Sequence, residues 1–451
     1  MSAPATPSTS PTWADVNRDV IRTVGMPGSM YFWWMCVVAL TLACGVFAWT
    51  YQIFVGMGAA GKRTPQMWAM YITTFVFWIG IGHAGTLISA VLYLFRARWR
   101  TSVFRGAEAM TIFAVMTAGL FPLIHAGRMW FAYWLMPYPN QRYLWPNFKS
   151  PLVWDVFAIS TYLTISLVFF YVGLIPDIAA LRDHHRGWRR KIYAILCLGW
   201  EGSDGQWRHY RRAYGIFAAI STPLVLSVHS VVSFDFAMAL VPGWHSTLFP
   251  PFFVDGAIFS GFAMVLVLLL PMRYWFDWYA YITDRHLEYM AKLVLVTSLV
   301  LTYFYVCEVF TAWYSGDHFE RASVFAKATK QYAWAYWTMY FCNSVVPLVL
   351  FWKRMRTNVV VLYVVSILVL IGMWFERFNI IVPGLGHDFY PYTWGTYYPT
   401  VTDSTIIVGS FAWFFLLFLA FIRVMPSVSI AEVKEVLPHP LKHGHAHGGG
   451  H

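Results

Sequence analysis

Residues 251–275 read PFFVDGAIFSGFAMVLVLLLPMRYW. Only Asp255 and Arg273 carry charge in that stretch, one toward each end. The run is long enough to cross about 30 Å of hydrocarbon as a helix rising 1.5 Å per residue. Comparable runs recur at 30–56, 68–95, 107–132, 152–175, 213–240, 288–314, 331–352, 358–381 and 404–425. With 251–275 they make ten, so the expected class is an all-α integral membrane protein of about ten transmembrane helices.

Composition agrees with this reading. Hydrophobic residues make up 59% of the 451 and charged residues only 12%, a balance foreign to soluble domains. Aromatic residues reach 20%, as expected where many helix ends carry rings at headgroup depth. The formal charge of +11 does not point to nucleic acid, because Lys and Arg sit in short blocks between the apolar runs. There they act as topology signals. The five cysteines, Cys36, Cys44, Cys197, Cys307 and Cys342, form no CxxC or CxxCH. No iron-sulfur cluster or c-type haem is therefore expected in this chain, and any such group belongs to a partner.

Residues 1–29 are polar, rich in Pro, Ser and Thr, and lack the charged start and cleavage site of a signal peptide. They read as a retained cytoplasmic segment. The even-numbered loops and both termini hold most of the Lys and Arg outside the runs, which places both termini in the cytoplasm. The basic stretch 182–212 has Trp, Ile and Leu between its charges and reads either as a helix on the inner membrane surface or as a plain inside loop. The His-rich ending, within 427–451, reads as a disordered cytoplasmic tail.

A charge at mid-membrane costs roughly 3 kcal/mol, so intramembrane ionisable groups face the bundle interior and mark sites or proton paths. With the termini inside, His125, Asp155, Asp235, Asp255 and Glu308 fall in the outer parts of five consecutive runs. His229 lies a turn and a half deeper than Asp235, and His83 lies near the middle of the second run. The inner halves of these runs read as nearly uncharged. Each residue also has a plainer role open to it. His83 and His229 can simply bond a neighbouring helix, Asp155 and Asp255 can serve helix first turns, and Glu376 beside Arg377 reads as an ion pair at the membrane edge.

A quinol reaches a protein from the lipid and gives up two protons with two electrons. It needs an apolar slot at headgroup depth and a proton acceptor at a ring oxygen. His125 suits that role because imidazole titrates near neutral pH, with Asp155 as its expected partner. Asp235 and Asp255 would carry protons outward. The loops 137–151 and 383–400, rich in Pro, Tyr and Trp, read as ordered caps over this face, or as interfacial aromatic anchors.

The stretch GHAGTLISAVLYLFRARWRTSVFRGAEAMTIFA, then PLIHAGRMWFAYWLMPYPNQRYLWPNFKSPLVWDVFAISTY and GLIPDIAALRD, resembles the NrfD-like polysulfide reductase membrane subunits. Within that family it is most similar to the ActC-type subunits of alternative complex III. The resemblance implies two four-helix bundles, spans 2–5 (about 68–240) and spans 6–9 (about 251–381), flanked by spans 1 and 10. It implies a quinol or menaquinol site at His125 and Asp155, with Asp235 and Asp255 carried over beside them. It further implies electron transfer to an iron-sulfur subunit on the outer face, with c-type cytochrome subunits and a second NrfD-like membrane subunit in the same complex. The bacterial inner membrane is the location such complexes imply.

Two other readings stay open. One is a scaffold and proton-conducting subunit without a quinol site, in which His83, His229, Glu308 and Glu376 form a proton path. The other is a di-haem b cytochrome, for which His83, His125 and His229 supply the intramembrane histidines.

Overall fold

A computed structural model describes residues 11–25, 27–136 and 148–437. Among them, nine helices are long and apolar enough to cross a membrane. In chain order α1 (Trp13–Thr23) is short and amphipathic, and α2 (Ser29–Val55), α3 (Ala69–Leu94), α4 (Phe104–His125) and α5 (Pro151–His184) are the first four spans. A short helix, α6 (Gly187–Leu196), precedes α7 (Asp204–Ala237), α8 (Phe249–Trp275) and α9 (Asp284–Tyr314). Then come α10 (His318–Thr329), the broken segment beginning with α11 (Ala333–Tyr340), α12 (Val359–Gly386), α13 (Val401–Val424) and α14 (Ile430–Val436).

The expected eighth span, 331–352, is the one that does not form a single long helix. After α11 the chain makes a π turn over Phe341–Val345 and tight 3₁₀ turns over Val346–Phe351. Pro347 contributes, since it has no N–H to give and its ring crowds the preceding turn. Ser298 Oγ donates to the Asn343 carbonyl at 2.6 Å, bonding a backbone group within the π turn. Nine long spans, of which α3 carries its own π turn at Leu87–Val91, and this broken one account for the ten apolar runs.

Helix α3 is the hub. Its side chains are almost all buried, and it packs on α4, α7, α8 and α12. Glycine permits this density where helices nearly touch: a Cβ on Gly85 would lie 2.0 Å from the Ala107 carbonyl oxygen of α4. α4, α5 and α7 complete one group around α3, while α9 and α12 pack on α8 and the broken segment packs on α9 and α12. Outside them α2 lies along α13, where a Cβ on Gly45 would come within 2.7 Å of the Gly409 Cα. The other face of α2 is bare, with Phe47 and Phe54 75% and 86% exposed, as suits a helix turned to lipid.

Both ends are laced shut. At the end bearing the basic loops, Arg22 of α1 donates to the Phe276 carbonyl, Tyr281 to Asp19, and Lys434 of α14 to Asn17. At the opposite end, Gln66 donates to the Gly395 carbonyl and the Tyr397 amide donates to Tyr332 Oη. The segment around 387–400 is therefore an ordered cap, as its composition suggested. Most of the other expected cap, 137–147, lies outside the described residues, as do 1–10 and the His-rich 438–451.

Several boundaries differ from expectation. The third span ends at His125, and Arg128 sits in the turn beyond it. The stretch 182–212 is only partly a separate helix, because its last third is the first two turns of α7, capped by Ser203. Glu376 and Arg377 are not at an edge: α12 continues to Gly386, and both side chains are within 2% of full burial.

Candidate functional site

α5 and α7 run antiparallel from and to the end opposite the basic loops. This brings Asp155, just over one turn into α5, against Asp235, in the last turn of α7. The two carboxyl groups lie against one another, Asp155 is buried, and among the described residues one oxygen of each has no hydrogen-bond partner. Two carboxyl groups in contact can share one proton between them, so the pair is suited to holding a proton.

His125 is not the partner of Asp155 that the sequence suggested. Its Nδ1 lies 2.7 Å from Lys62 Nζ, in the loop before α3. Lys62 also sits 4.5 Å over the Tyr71 ring. Burial drives its ammonium down to about 7, with Asp403 pulling weakly the other way. Lys62 is a site residue that a search confined to spans misses, because it belongs to a loop.

Deeper, His83 of α3 and His229 of α7 meet edge to face with ring centroids 4.3 Å apart, both fully buried. His83 Nδ1 lies 2.9 Å from the Ile79 carbonyl and must carry a proton to bond it, leaving Nε2 with a lone pair. Neither that nitrogen nor either nitrogen of His229 has a hydrogen-bond partner among the described residues. Rings in direct contact leave no room for a macrocycle between them, so the pair does not fit bis-histidine haem ligation.

On the α8–α12 side, Tyr305 donates to Glu376, and Asn343 Nδ2 donates to Tyr305 Oη at 2.8 Å. Glu376 Oε1 is 2.8 Å from Arg377 Nη1 in a charge contact without hydrogen-bond alignment, as adjacent residues on one helix dictate. Asp255 lies close enough to Glu376 for their charges to interact. Arg377 stacks 4.4 Å over Phe253, whose ring also packs against His229. Glu308, near enough to Glu376 for their charges to interact, is paired at 3.1 Å with Lys327 of α10 and partly open to the surface.

The basic end holds what the sequence reading missed. The inner halves of the spans are not uncharged: Arg105 is fully buried between Glu108 at 3.1 Å and Asp177 at 2.9 Å. It also donates to the Gly173 carbonyl, and Tyr214 donates to Glu108. Arg100 pairs with Glu432 of α14 at 2.5 Å. Glu108 lies inside the third run and Asp177 two residues past the fourth, so the available signal was a carboxylate near each inner end. Between this cluster and the histidines run hydroxyls. Tyr162 stacks on His83, donates to the Gly82 carbonyl at 2.8 Å and meets Thr86 at 2.9 Å, and Thr111, one turn from Glu108, donates to the same carbonyl.

A family model described as "Polysulphide reductase, NrfD" matches residues 58–386. The chain belongs to the NrfD family. This NrfD-family membrane protein is 26% identical over 441 residues to a putative dimethyl sulfoxide reductase membrane subunit of Halobacterium salinarum, covering 91% of this chain and 94% of that one. It is 21% identical over 434 residues to an Hdr-like menaquinol oxidoreductase integral membrane subunit of Archaeoglobus fulgidus, covering 90% and 96%. A selenate reductase subunit of Mesobacillus selenatarsenatis is 22% identical over 249 residues, about half of each chain. All three are named as subunits of reductases or oxidoreductases, and the first two as membrane subunits.

Proposed function

We propose that this NrfD-family chain is the quinol-binding and quinol-oxidising membrane subunit of a respiratory oxidoreductase, of the kind found in alternative complex III. The observation that carries the reading is the grouping of two proton-holding pairs, Asp155 with Asp235 and His125 with Lys62, at one end of adjacent helices. A quinol releases two protons, and two such acceptors at headgroup depth match that demand. The Archaeoglobus relative, a menaquinol oxidoreductase subunit by name, supports menaquinol as the substrate class.

In this reading the electrons leave to an iron-sulfur subunit docked on the same face, and then to c-type cytochrome subunits. A second NrfD-like subunit completes the membrane part, and the complex sits in the bacterial inner membrane. Asp235 hands protons to the outer surface, and Asp255 lies beside Glu376 on the neighbouring side of the layer.

One specific observation favours a second role for the same chain, or that role alone. His229, His83, Tyr162 and Thr111 line up toward Glu108 and Arg105, which is the polar thread that a proton-conducting subunit needs. The deciding experiment is quinol to cytochrome c electron transfer in the purified complex with His125→Ala and Asp155→Asn. Assembly with loss of turnover in both variants supports the oxidation site. Normal turnover in both leaves the scaffold and proton-conducting reading.

A further inference from the structure

We infer that Lys62 is the proton acceptor behind His125, taking the proton that the imidazole receives from substrate and passing it toward the buried Asp403. This rests on the reading of His125 as a quinol-site base. Lys62 acts through His125 and is in that sense a positioning residue, one that sets which imidazole nitrogen faces the substrate.

The 2.7 Å contact joins Lys62 Nζ to His125 Nδ1, so one of the two nitrogens must donate to the other. If Lys62 is an ammonium, it donates to Nδ1, and the neutral ring carries its own proton on Nε2. Such a ring offers the substrate a donor and cannot accept a proton. If Lys62 is an amine, Nδ1–H donates to Nζ and Nε2 keeps a lone pair. Only this second state can take a proton from a quinol hydroxyl.

The transfer then balances atom by atom. The substrate O–H breaks as Nε2–H forms, and Nδ1–H breaks as Nζ–H forms, leaving a neutral ring and an ammonium. Electrons leave separately to a one-electron acceptor on a redox partner. The imidazole thus ends each transfer with its proton on the substrate-facing nitrogen; once Lys62 has discharged, the accepting tautomer returns when Nε2 gives its proton to water and Nδ1 takes one up.

The surroundings suit an amine that cycles. Lys62 faces His125 of α4, Tyr71 of α3 and Asp403 of α13. Tyr71 donates to Gln52, whose Nε2 donates to the Ile124 carbonyl at 3.2 Å, so the ring under Lys62 and the end of α4 are held together. Asp403 is buried, accepts from the Gly61 amide at 2.9 Å and from Tyr397 Oη at 2.6 Å, and keeps one oxygen without a partner among the described residues. Burial brings the Lys62 ammonium down to about 7, where it changes charge within the working range.

The test is the turnover of the assembled complex in native membranes, with a short-chain menaquinol, from about pH 5.5 to about pH 9. Wild type should show kcat rising through about pH 7 as Lys62 becomes an amine. Lys62→Arg keeps a permanent cation over Tyr71, and should lower kcat by about 10²-fold and erase that rise, with little change in KM. Lys62→Met should also lose the rise, with kcat down at least about tenfold. Should Lys62→Met fail to assemble, Lys62→Arg decides alone. A Lys62→Arg complex with wild-type kcat and pH profile overturns the inference. His125→Ala separates the two claims: if it turns over normally the quinol-site reading fails, whereas if it is dead while both Lys62 variants behave as wild type, only the relay fails.

Discussion

The two ends of the first helix group both bury ionisable residues and use them in opposite ways. At the basic end the buried carboxylates meet guanidinium or phenol groups: Arg105 holds Glu108 and Asp177, and Arg100 holds Glu432. At the other end a carboxyl meets a carboxyl, and an imidazole meets an amine. Opposite charges in contact hold a fixed geometry, whereas like groups in contact cannot both be charged cheaply and so share a proton. The basic end is therefore built chiefly to hold its geometry, and the opposite end to change its proton count.

The sharpest way to break this contrast is to replace one member of the like pair. Asp155→Asn and Asp235→Asn keep the shape and allow an amide N–H to donate to the remaining carboxylate, so assembly should survive. The pair loses its exchangeable proton, and quinol turnover should fall by about 10²- to 10⁴-fold, or roughly 3–5 kcal/mol of barrier. Steady-state quinol oxidation in membranes with equal complex content is the measurement. A variant that assembles and turns over normally removes Asp155 and Asp235 from the chemistry.

The same cut at the basic end should hit stability instead. Arg105→Leu strands Glu108 and Asp177 in a buried setting, and losing one partner of such a network costs about 3–5 kcal/mol. The expected result is a lowered midpoint of thermal unfolding in detergent and poor yield, with the surviving complex turning over at its usual rate. If turnover per assembled complex falls instead with the midpoint unmoved, the basic end handles protons too, and the contrast between the ends is wrong.

Depth along the membrane was legible in the sequence and rotation about each helix was not. Lipid demands runs of fixed length, so ten runs located the spans and placed His125, Asp155, Asp235 and Asp255 toward one end. Hydropathy says nothing about which way a side chain faces, and so Asp155 was assigned to His125 when α5 turns it toward Asp235 of α7. Lys62 escaped because it reaches the site from a loop, and Glu108 because one charge at the inner end of a long apolar run looks like its boundary. The break in the eighth span has Pro347 as a sequence signal, but the Asn343 carbonyl within it is bonded by Ser298, a residue of another helix. No window along the sequence contains that partner.

Between the two extremes lies Glu432, which ties α14 to the basic end. Burial pushes its carboxyl up to about 7 despite the Arg100 guanidinium beside it. The folded chain then binds a proton that the unfolded chain releases above the ordinary carboxyl range near 4.5. Stability attributable to this group should therefore be present at acid pH and be lost as pH rises from about 4.5 to about 7, by about 1–3 kcal/mol. Comparing unfolding midpoints across that window, Glu432→Gln should lose most of the slope. An unchanged slope would mean that other groups carry it.

The mildest effect is expected at Glu308, whose partner Lys327 belongs to a different helix but whose carboxylate remains 25% exposed. Lys327 itself is buried, but the carboxylate that its removal leaves can turn to solvent, so Lys327→Met should cost about 1 kcal/mol of stability. Its value lies in separating the layer from the thread. Glu308 shares the depth of Asp155 and Asp235 without their like-group contact, so if contact rather than depth confers proton chemistry, Glu308→Gln should leave quinol turnover within about twofold of wild type. A loss as deep as that of Asp155→Asn would show that the whole layer at this end works as one proton reservoir, with Glu308 as its connection through Glu376 to Asp255.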